Sequence, residues 1–168
     1  SRAEDLAEAL GDKFRRVAVD YIRGWIFYDR GKFEPGRKCY ENWFDYHKKC
    51  NPQNIAAITI DYNFYLGLVD LKRGQIDSAR SKLAEIKALL PKINPAYKDW
   101  MTEEYELFSG ELFLAESSPE KAIAFLEKAS PKVAPSMHTN NMVSYNIPFL
   151  KDVLARAYKE KGEIDKAI

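Results

Sequence analysis

The chain has 168 residues, of which 46% are apolar, and its 26 basic and 25 acidic side chains give a net charge of +1. A nearly neutral chain is not expected to bind nucleic acid or a membrane surface through general electrostatics, so both classes of partner are disfavoured. The sequence also lacks a run of about 18 apolar residues that could insert into a membrane. The length is sufficient for one domain with a continuous core.

One pattern recurs along the chain at Gly24, Gly67, Gly110 and Ala155, which are 43, 43 and 45 residues apart. Two further small residues follow each of these positions, one after seven residues and one after twelve. They are Gly31, Gly74, Ser117 and Gly162, and then Gly36, Ala79, Ala122 and Ala167. A repeat that persists along a whole chain is typical of solenoid proteins.

Each copy of the pattern predicts a helical hairpin. The small residues at its start and twelve positions later allow two helices to cross closely. Gly31, Gly74 and Gly162 are expected to end the first helix of their copies, because glycine adopts the left-handed conformation at a helix C-terminus without a Cβ penalty. In the third copy Ser117 takes that position. With no long strand-like alternation, the sequence predicts an all-α fold.

The pattern resembles the tetratricopeptide repeat family. The second copy matches best, through Leu66, Gly67, Gly74, Ala79 and Leu83, and the others match at equivalent positions. The resemblance implies a right-handed α-solenoid of antiparallel helix pairs, folded as a single domain over the whole chain. The implied domain is 1–168, with repeats at about 13–50, 52–92, 95–135 and 141–168.

The period of about 43 residues exceeds the usual 34 of that family. Asn51-Pro52 and Asn94-Pro95 are typical helix starts, with Asn as the cap and Pro in the first turn. The first helices of the second and third copies are therefore expected to begin there and to be unusually long. Residues 131–146 are predicted to form a loop, either an ordinary crossover or an exposed loop with a function of its own.

The resemblance also implies which residues face the concave groove. In the tetratricopeptide family the first helices line this groove, and the residues three before, one after and four after each opening small residue tend to face it. These positions are Tyr21, Trp25 and Tyr28; Phe64, Leu68 and Leu71; Leu107, Glu111 and Leu114; Asp152, Arg156 and Lys159. The predicted partner-binding set keeps nine of them and leaves out Leu114, Asp152 and Lys159.

The apolar members of this set have two explanations. Trp25 and Tyr28 could anchor a peptide or an amphipathic helix, since aromatic side chains bury a large area at low entropic cost. Alternatively, the long helices bury these residues against one another as core. The sequence leaves both explanations open.

The predicted function is a non-catalytic protein–protein interaction module that binds a peptide or helix of a partner in its groove, with no cofactor. Two alternatives remain: a ligand-sensing arm of a larger regulator, favoured by a closed pocket around the aromatic residues, and a self-association scaffold forming homo-oligomers. Catalysis is disfavoured because no nucleotide-binding, nucleophile or metalloprotease motif is present. RNA binding is disfavoured because the aromatic residues are not interleaved with a basic stripe.

The last repeat is incomplete, so the chain is expected to be a piece of a longer polypeptide, and its localisation is not predicted. Cys39 and Cys50 are about three helical turns apart if the helix is continuous, too far for a disulfide. Two thiols weakly favour a reducing compartment such as the cytoplasm.

Overall fold

The computed structural model describes residues 5, 11, 13–129 and 150–167, and among these residues it contains helices and no strands. The described α-helices are α1 (Lys13–Asp29), α2 (Phe33–Cys50), α3 (Ile55–Lys72), α4 (Ile76–Leu89), α5 (Lys98–Ala115), α6 (Pro119–Leu126) and α7 (Leu150–Lys161). Short 3₁₀ turns cover Pro52–Asn54, Leu90–Lys92, Pro95–Tyr97 and Ile164–Lys166. The all-α prediction is confirmed for this part of the chain, whereas the predicted loop at 131–146 lies outside the described residues.

The turn that follows each first helix has the same conformation in all four copies. Gly31, Gly74 and Gly162 have φ values of 66°, 71° and 85°, and Ser117 has a φ of 54°. Each of these residues donates its N–H to the carbonyl of the residue three positions before it. The residue that follows it donates its own N–H to the carbonyl five positions before that following residue. This pair of hydrogen bonds is the Schellman motif, which satisfies the last carbonyls of a helix. The prediction that these residues end the first helices is therefore confirmed.

The predicted starts of the long helices are correct in place but differ in detail. The chain enters α3 and α5 through the 3₁₀ turns Pro52–Asn54 and Pro95–Tyr97 rather than directly as α-helix. The side chain of Asn94 accepts a hydrogen bond from the N–H of Ala96 (2.9 Å). Asn51 makes no such cap, because its amide lies 3.0 Å from Nδ1 of His47 instead.

The helices pack in the order in which they occur. The helices α1 and α2, α3 and α4, and α5 and α6 form pairs, and α2 also packs on α3, α4 on α5 and α6 on α7. A second set of contacts joins α3 to α5 and α5 to α7. Each described helix is thus covered mainly by the helices nearest to it in the sequence.

Helix α3 lies at the centre of this packing. It contacts α2, α4 and α5, and its side chains are buried on every face from Ile60 to Asp70 except at Tyr62, which is half-buried. Three buried polar residues, Asp61, Asn63 and Asp70, interrupt its apolar sequence. A helix that is apolar on most of its surface is stable only when neighbouring elements cover it, and among the described helices α3 meets this condition through its contacts with α2, α4 and α5.

The glycines that open the pattern lie where helices approach closely, both within a copy and between successive copies. The hydroxyl of Tyr65 on α3 donates a 2.7 Å hydrogen bond to the carbonyl of Gly24 on α1. A Cβ atom added to Gly67 on α3 would collide with the ring of Phe108 on α5. Both pairs of residues are 41 positions apart and join first helices of successive copies. The predicted close crossing within a hairpin is confirmed in the first copy, where a Cβ atom added to Gly36 on α2 would lie 3.2 Å from the carbonyl oxygen of Gly24 on α1.

A buried ionic cluster links α2, α3 and α4. The carboxylate of Asp70, whose side chain is 1% exposed, accepts hydrogen bonds from Lys82 Nζ and Ser78 Oγ, each at 2.6 Å. The guanidinium of Arg37 lies 3.8 Å from the other carboxylate oxygen. Since a buried carboxylate is stable only when it is paired, the cluster fixes the position of α4 and α2 on α3.

Candidate functional site

A cleft of about 220 Å³ lies between the first helices of the four copies, which are α1, α3, α5 and α7. We call it the first-helix cleft. Its lining residues are Tyr28, Leu68, Leu71, Lys72, Glu111, Leu114, Ala115, Arg156 and Glu160.

The apolar part of the first-helix cleft consists of Tyr28, Leu68, Leu71 and Leu114. Leu68 and Leu114 are 2% and 8% exposed and form the floor, whereas Tyr28 and Leu71 are half-buried and remain open to a ligand. The cleft therefore combines an apolar floor with four charged side chains at its walls and rim.

An ion pair between Glu111 and Arg156 spans the cleft from α5 to α7. Nη1 of Arg156 donates to Oε2 of Glu111 at 3.2 Å, and Nη2 donates to Oε1, so the pair is bidentate. The Arg156 side chain is 46% exposed and that of Glu111 is 16% exposed. A pair of this geometry is directional, but its exposed half remains available to a charged ligand. Lys72 and Glu160 add one exposed charge of each sign at the rim.

Tyr28 adds a hydroxyl group to the lining of the cleft. Burial, followed by the negative charges of Glu111 and Asp29, raises the pKa of its phenol above the ordinary value, while Arg156 opposes this shift. The hydroxyl is therefore protonated at neutral pH and can donate a hydrogen bond into the cleft.

Five of the nine residues predicted to face a groove line this one cleft. They are Tyr28, Leu68, Leu71, Glu111 and Arg156. The remaining four lie elsewhere, and three of these, Trp25, Phe64 and Leu107, are buried at 0%, 0% and 4% exposure. Tyr21 is half-buried, with its ring 5.2 Å from that of Tyr40 and 5.5 Å from that of Trp43.

Trp25 has the environment of a core residue. Its indole makes an edge-to-face contact with Tyr65 at 5.1 Å and lies 6.1 Å from Tyr40 and 6.3 Å from Phe64. Because the side chain is wholly covered by these rings, it offers no surface to a partner in this structure. The sequence left open whether the apolar residues of the predicted set form a binding surface or core. Trp25, Phe64 and Leu107 are core.

Three residues that line the cleft were not among the predicted positions: Lys72, Ala115 and Glu160. Each lies five residues after the opening small residue of its copy, at Gly67, Gly110 and Ala155. The sequence therefore carried a signal for them, namely one more position of the same register. The family rule used in the prediction missed them because its last position is four residues after the opening small residue, whereas these residues lie five after it.

The described residues contain no group of three or more His, Cys, Asp or Glu side chains that could hold a metal ion. Among the described helices, none is both long enough and apolar enough to cross a membrane. The chain matches no protein-family model, and no significant match to a curated protein or a solved structure was found. The geometry of the site is thus the basis for assigning a function.

Proposed function

We propose that the chain is a tetratricopeptide-like α-solenoid that acts as a non-catalytic interaction module and binds a peptide segment of a partner protein in the first-helix cleft. One observation carries the proposal: α1, α3, α5 and α7, the first helices of all four copies, contribute side chains to a single cleft. In a solenoid of helical hairpins the first helices share one side, and their combined surface is suited to an extended or helical peptide.

The solenoid arrangement itself is supported by the periodic contacts. First helices of successive copies contact each other at Tyr65 and Gly24 and again, 43 residues further along, at Phe108 and Gly67, and the same turn closes all four first helices. Packing that repeats at the sequence period is what a stack of equivalent hairpins produces.

The chemistry of the first-helix cleft limits the peptide that it would bind. Tyr28 and Leu71 offer a partly open apolar surface above the floor of Leu68 and Leu114, which suits one or two apolar side chains of a partner. Around them lie a bidentate ion pair and two exposed charges of opposite sign, which suit a peptide carrying both charges rather than one strongly charged segment. The ligand of this proposal is therefore a short peptide with an apolar anchor flanked by mixed charges.

The test is a selection from a random peptide library, followed by calorimetric titration of the selected peptides. Leu71→Arg places a charge on the apolar surface of the cleft and is expected to weaken binding by about tenfold or more. Ile26→Arg is the matched control, because Ile26 is an exposed aliphatic residue of α1 outside the cleft, and it is expected to leave binding unchanged. Equal affinity of both variants, with circular dichroism spectra like that of the parent chain, would rule the first-helix cleft out as the binding site.

A further inference from the structure

A second cavity of about 230 Å³ lies where the end of α2 meets the beginnings of α3 and α5. We call it the Asp61 pocket. Its walls include His47 from α2, Asp61 from α3, and Tyr97, Trp100 and Met101 from the segment that begins α5. None of these residues lines the first-helix cleft, so the two cavities are separate.

The carboxylate of Asp61 is the unusual group in this pocket. The residue is 8% exposed, and within the described part of the chain its Oδ1 atom has no hydrogen-bond partner. Its carboxylate receives a side-chain hydrogen bond from Tyr21 on α1. A buried carboxylate normally has a cation or several donors around it, because desolvation makes an unpaired one costly. Among the described residues, Tyr21 is the one side-chain donor shown to Asp61, and Asp61 lines the cavity.

Glu104 on α5 increases the negative charge behind the pocket. It is 5% exposed, its Oε1 atom accepts a 2.8 Å hydrogen bond from Nε1 of Trp100, and its Oε2 atom has no partner among the described residues. Burial raises the pKa of Glu104, and the negative charge of Asp61 raises it further. The described residues that line the pocket include no Lys or Arg.

We propose that the Asp61 pocket binds a small organic cation, a primary ammonium or guanidinium group, with Asp61 as its counter-ion and the rings of Tyr97 and Trp100 as its aromatic wall. Oδ1 of Asp61 is itself closed to solvent, so the N–H groups of such a cation would bond to it once the side chain turns toward the cavity, and an aromatic face stabilises a neighbouring cation. The pocket is smaller than those that enclose drug-sized ligands, so it suits an alkylammonium or guanidinium headgroup. A metal ion fits less well, because the described residues supply no cluster of three ligating side chains.

Binding of a cation would be linked to the release of a proton. Burial raises the pKa of Asp61 to about 7, against the opposing hydrogen bond from Tyr21. Among the described residues, the other titratable groups that face it are Tyr40 and His47 from α2, Tyr97 before α5 and Glu104 from α5, and none of the four supplies a fixed positive charge at neutral pH. Since a bound cation favours the ionised carboxylate, affinity should rise as the pH increases through about 7.

The experiment titrates n-butylammonium chloride and methylguanidinium chloride into the full 168-residue chain at pH 8, with tetramethylammonium chloride as a cation that has no N–H donor. Thermal unfolding and calorimetry provide the readouts. We expect saturable binding of one or both of the first two probes and at least about tenfold weaker binding of tetramethylammonium. Ammonium and guanidinium are distinguished by which probe binds more tightly.

Two variants and a control locate the binding. Asp61→Asn keeps the shape of the side chain, removes its charge and should weaken probe binding by about tenfold or more. Asp77→Asn removes a charge from a side chain that is 95% exposed on α4, and it should bind as the parent chain does. Asn54→Lys places an ammonium group at the pocket wall and should prevent probe binding, so it serves as the test if Asp61→Asn does not fold. The proposal is overturned if the parent chain binds no probe, or if a folded pocket variant binds with unchanged affinity.

Discussion

Ser117 is a non-glycine residue in a conformation that glycine adopts in the other three copies. Its φ of 54° is in the left-handed region, where a Cβ atom is unfavourable. At Gly74, which has the equivalent turn, an added Cβ atom would meet no atom within 4 Å. The cost of a side chain in this turn is therefore conformational and does not arise from crowding.

We predict that Ser117→Gly stabilises the chain and that Gly74→Ala destabilises it, each by about 1 kcal/mol, because only glycine adopts this turn without strain. Urea unfolding measures both changes. The same sign for both substitutions would contradict the assignment of a common turn.

Trp25 shows how an aromatic residue in a first helix can be core rather than binding surface. Its ring is enclosed by Tyr28, Tyr40, Phe64 and Tyr65 at centroid distances of 5.1 to 6.3 Å. The positional rule could not separate it from Tyr28, because both lie on the same helix face and only the tertiary packing shows which one is covered.

Trp25→Ala is predicted to cost about 3–5 kcal/mol of unfolding free energy, the usual effect of removing a fully buried indole. Tyr28→Ala should cost less, because Tyr28 is only half-buried. Chemical denaturation of both variants gives the comparison. A loss of stability for Trp25→Ala no larger than that for Tyr28→Ala would mean that the indole is not core.

At the scale of helices, first helices of successive copies contact each other where a glycine of one helix meets an aromatic side chain of the next. The positions of the glycines could be predicted from the sequence, since small residues recur at one register and have a physical reason to do so. The aromatic partners Tyr65 and Phe108 could not be predicted from the sequence. Each lies 41 residues after the glycine that it contacts, and this offset depends on how the copies are rotated relative to one another.

Gly67→Ala is predicted to destabilise the chain by about 1–3 kcal/mol, because its Cβ atom would collide with the ring of Phe108. In the Phe108→Leu background the same substitution should cost less, since the smaller side chain relieves the collision. A double-mutant cycle from urea unfolding measures this coupling. An identical cost in both backgrounds would exclude a direct contact.

The carboxyl groups of Asp61 and Glu104 make the packing of α3 against α5 sensitive to pH. Burial raises both pKa values above those of the unfolded chain, to about 7 for Asp61. Between the unfolded and folded pKa values the folded state holds more protons than the unfolded state. Stability from these groups is therefore greatest at low pH and falls as the pH rises toward about 7.

We accordingly predict that Asp61→Asn increases the melting temperature more at pH 8 than at pH 5. The parent chain ionises this buried group at pH 8, whereas the amide carries no charge at either value. Thermal unfolding at the two pH values makes the comparison. A difference between variant and parent chain that does not change with pH would show that Asp61 has an ordinary pKa.

At the scale of the whole molecule, the repeated glycine pattern was sufficient to predict an all-helical chain and the ends of its first helices. The positions implied by the tetratricopeptide resemblance include five residues of the cleft, among them Tyr28, Leu71 and Arg156. The pattern gave no indication of the Asp61 pocket. That site combines residues at unrelated positions of the repeat, and a buried carboxylate without a cation is visible only once the neighbours are known.

The central claim is that the first helices jointly form the peptide-binding surface. The most direct measurement is a two-dimensional amide NMR titration of the chain with a library-selected peptide, after assignment of the spectrum. The account predicts that the largest shift changes cluster around Tyr28, Leu71, Leu114 and Arg156, with small changes along α2 and α4. Changes concentrated on α2 and α4, with the cleft residues unaffected, would contradict the account and would assign recognition to those helices instead.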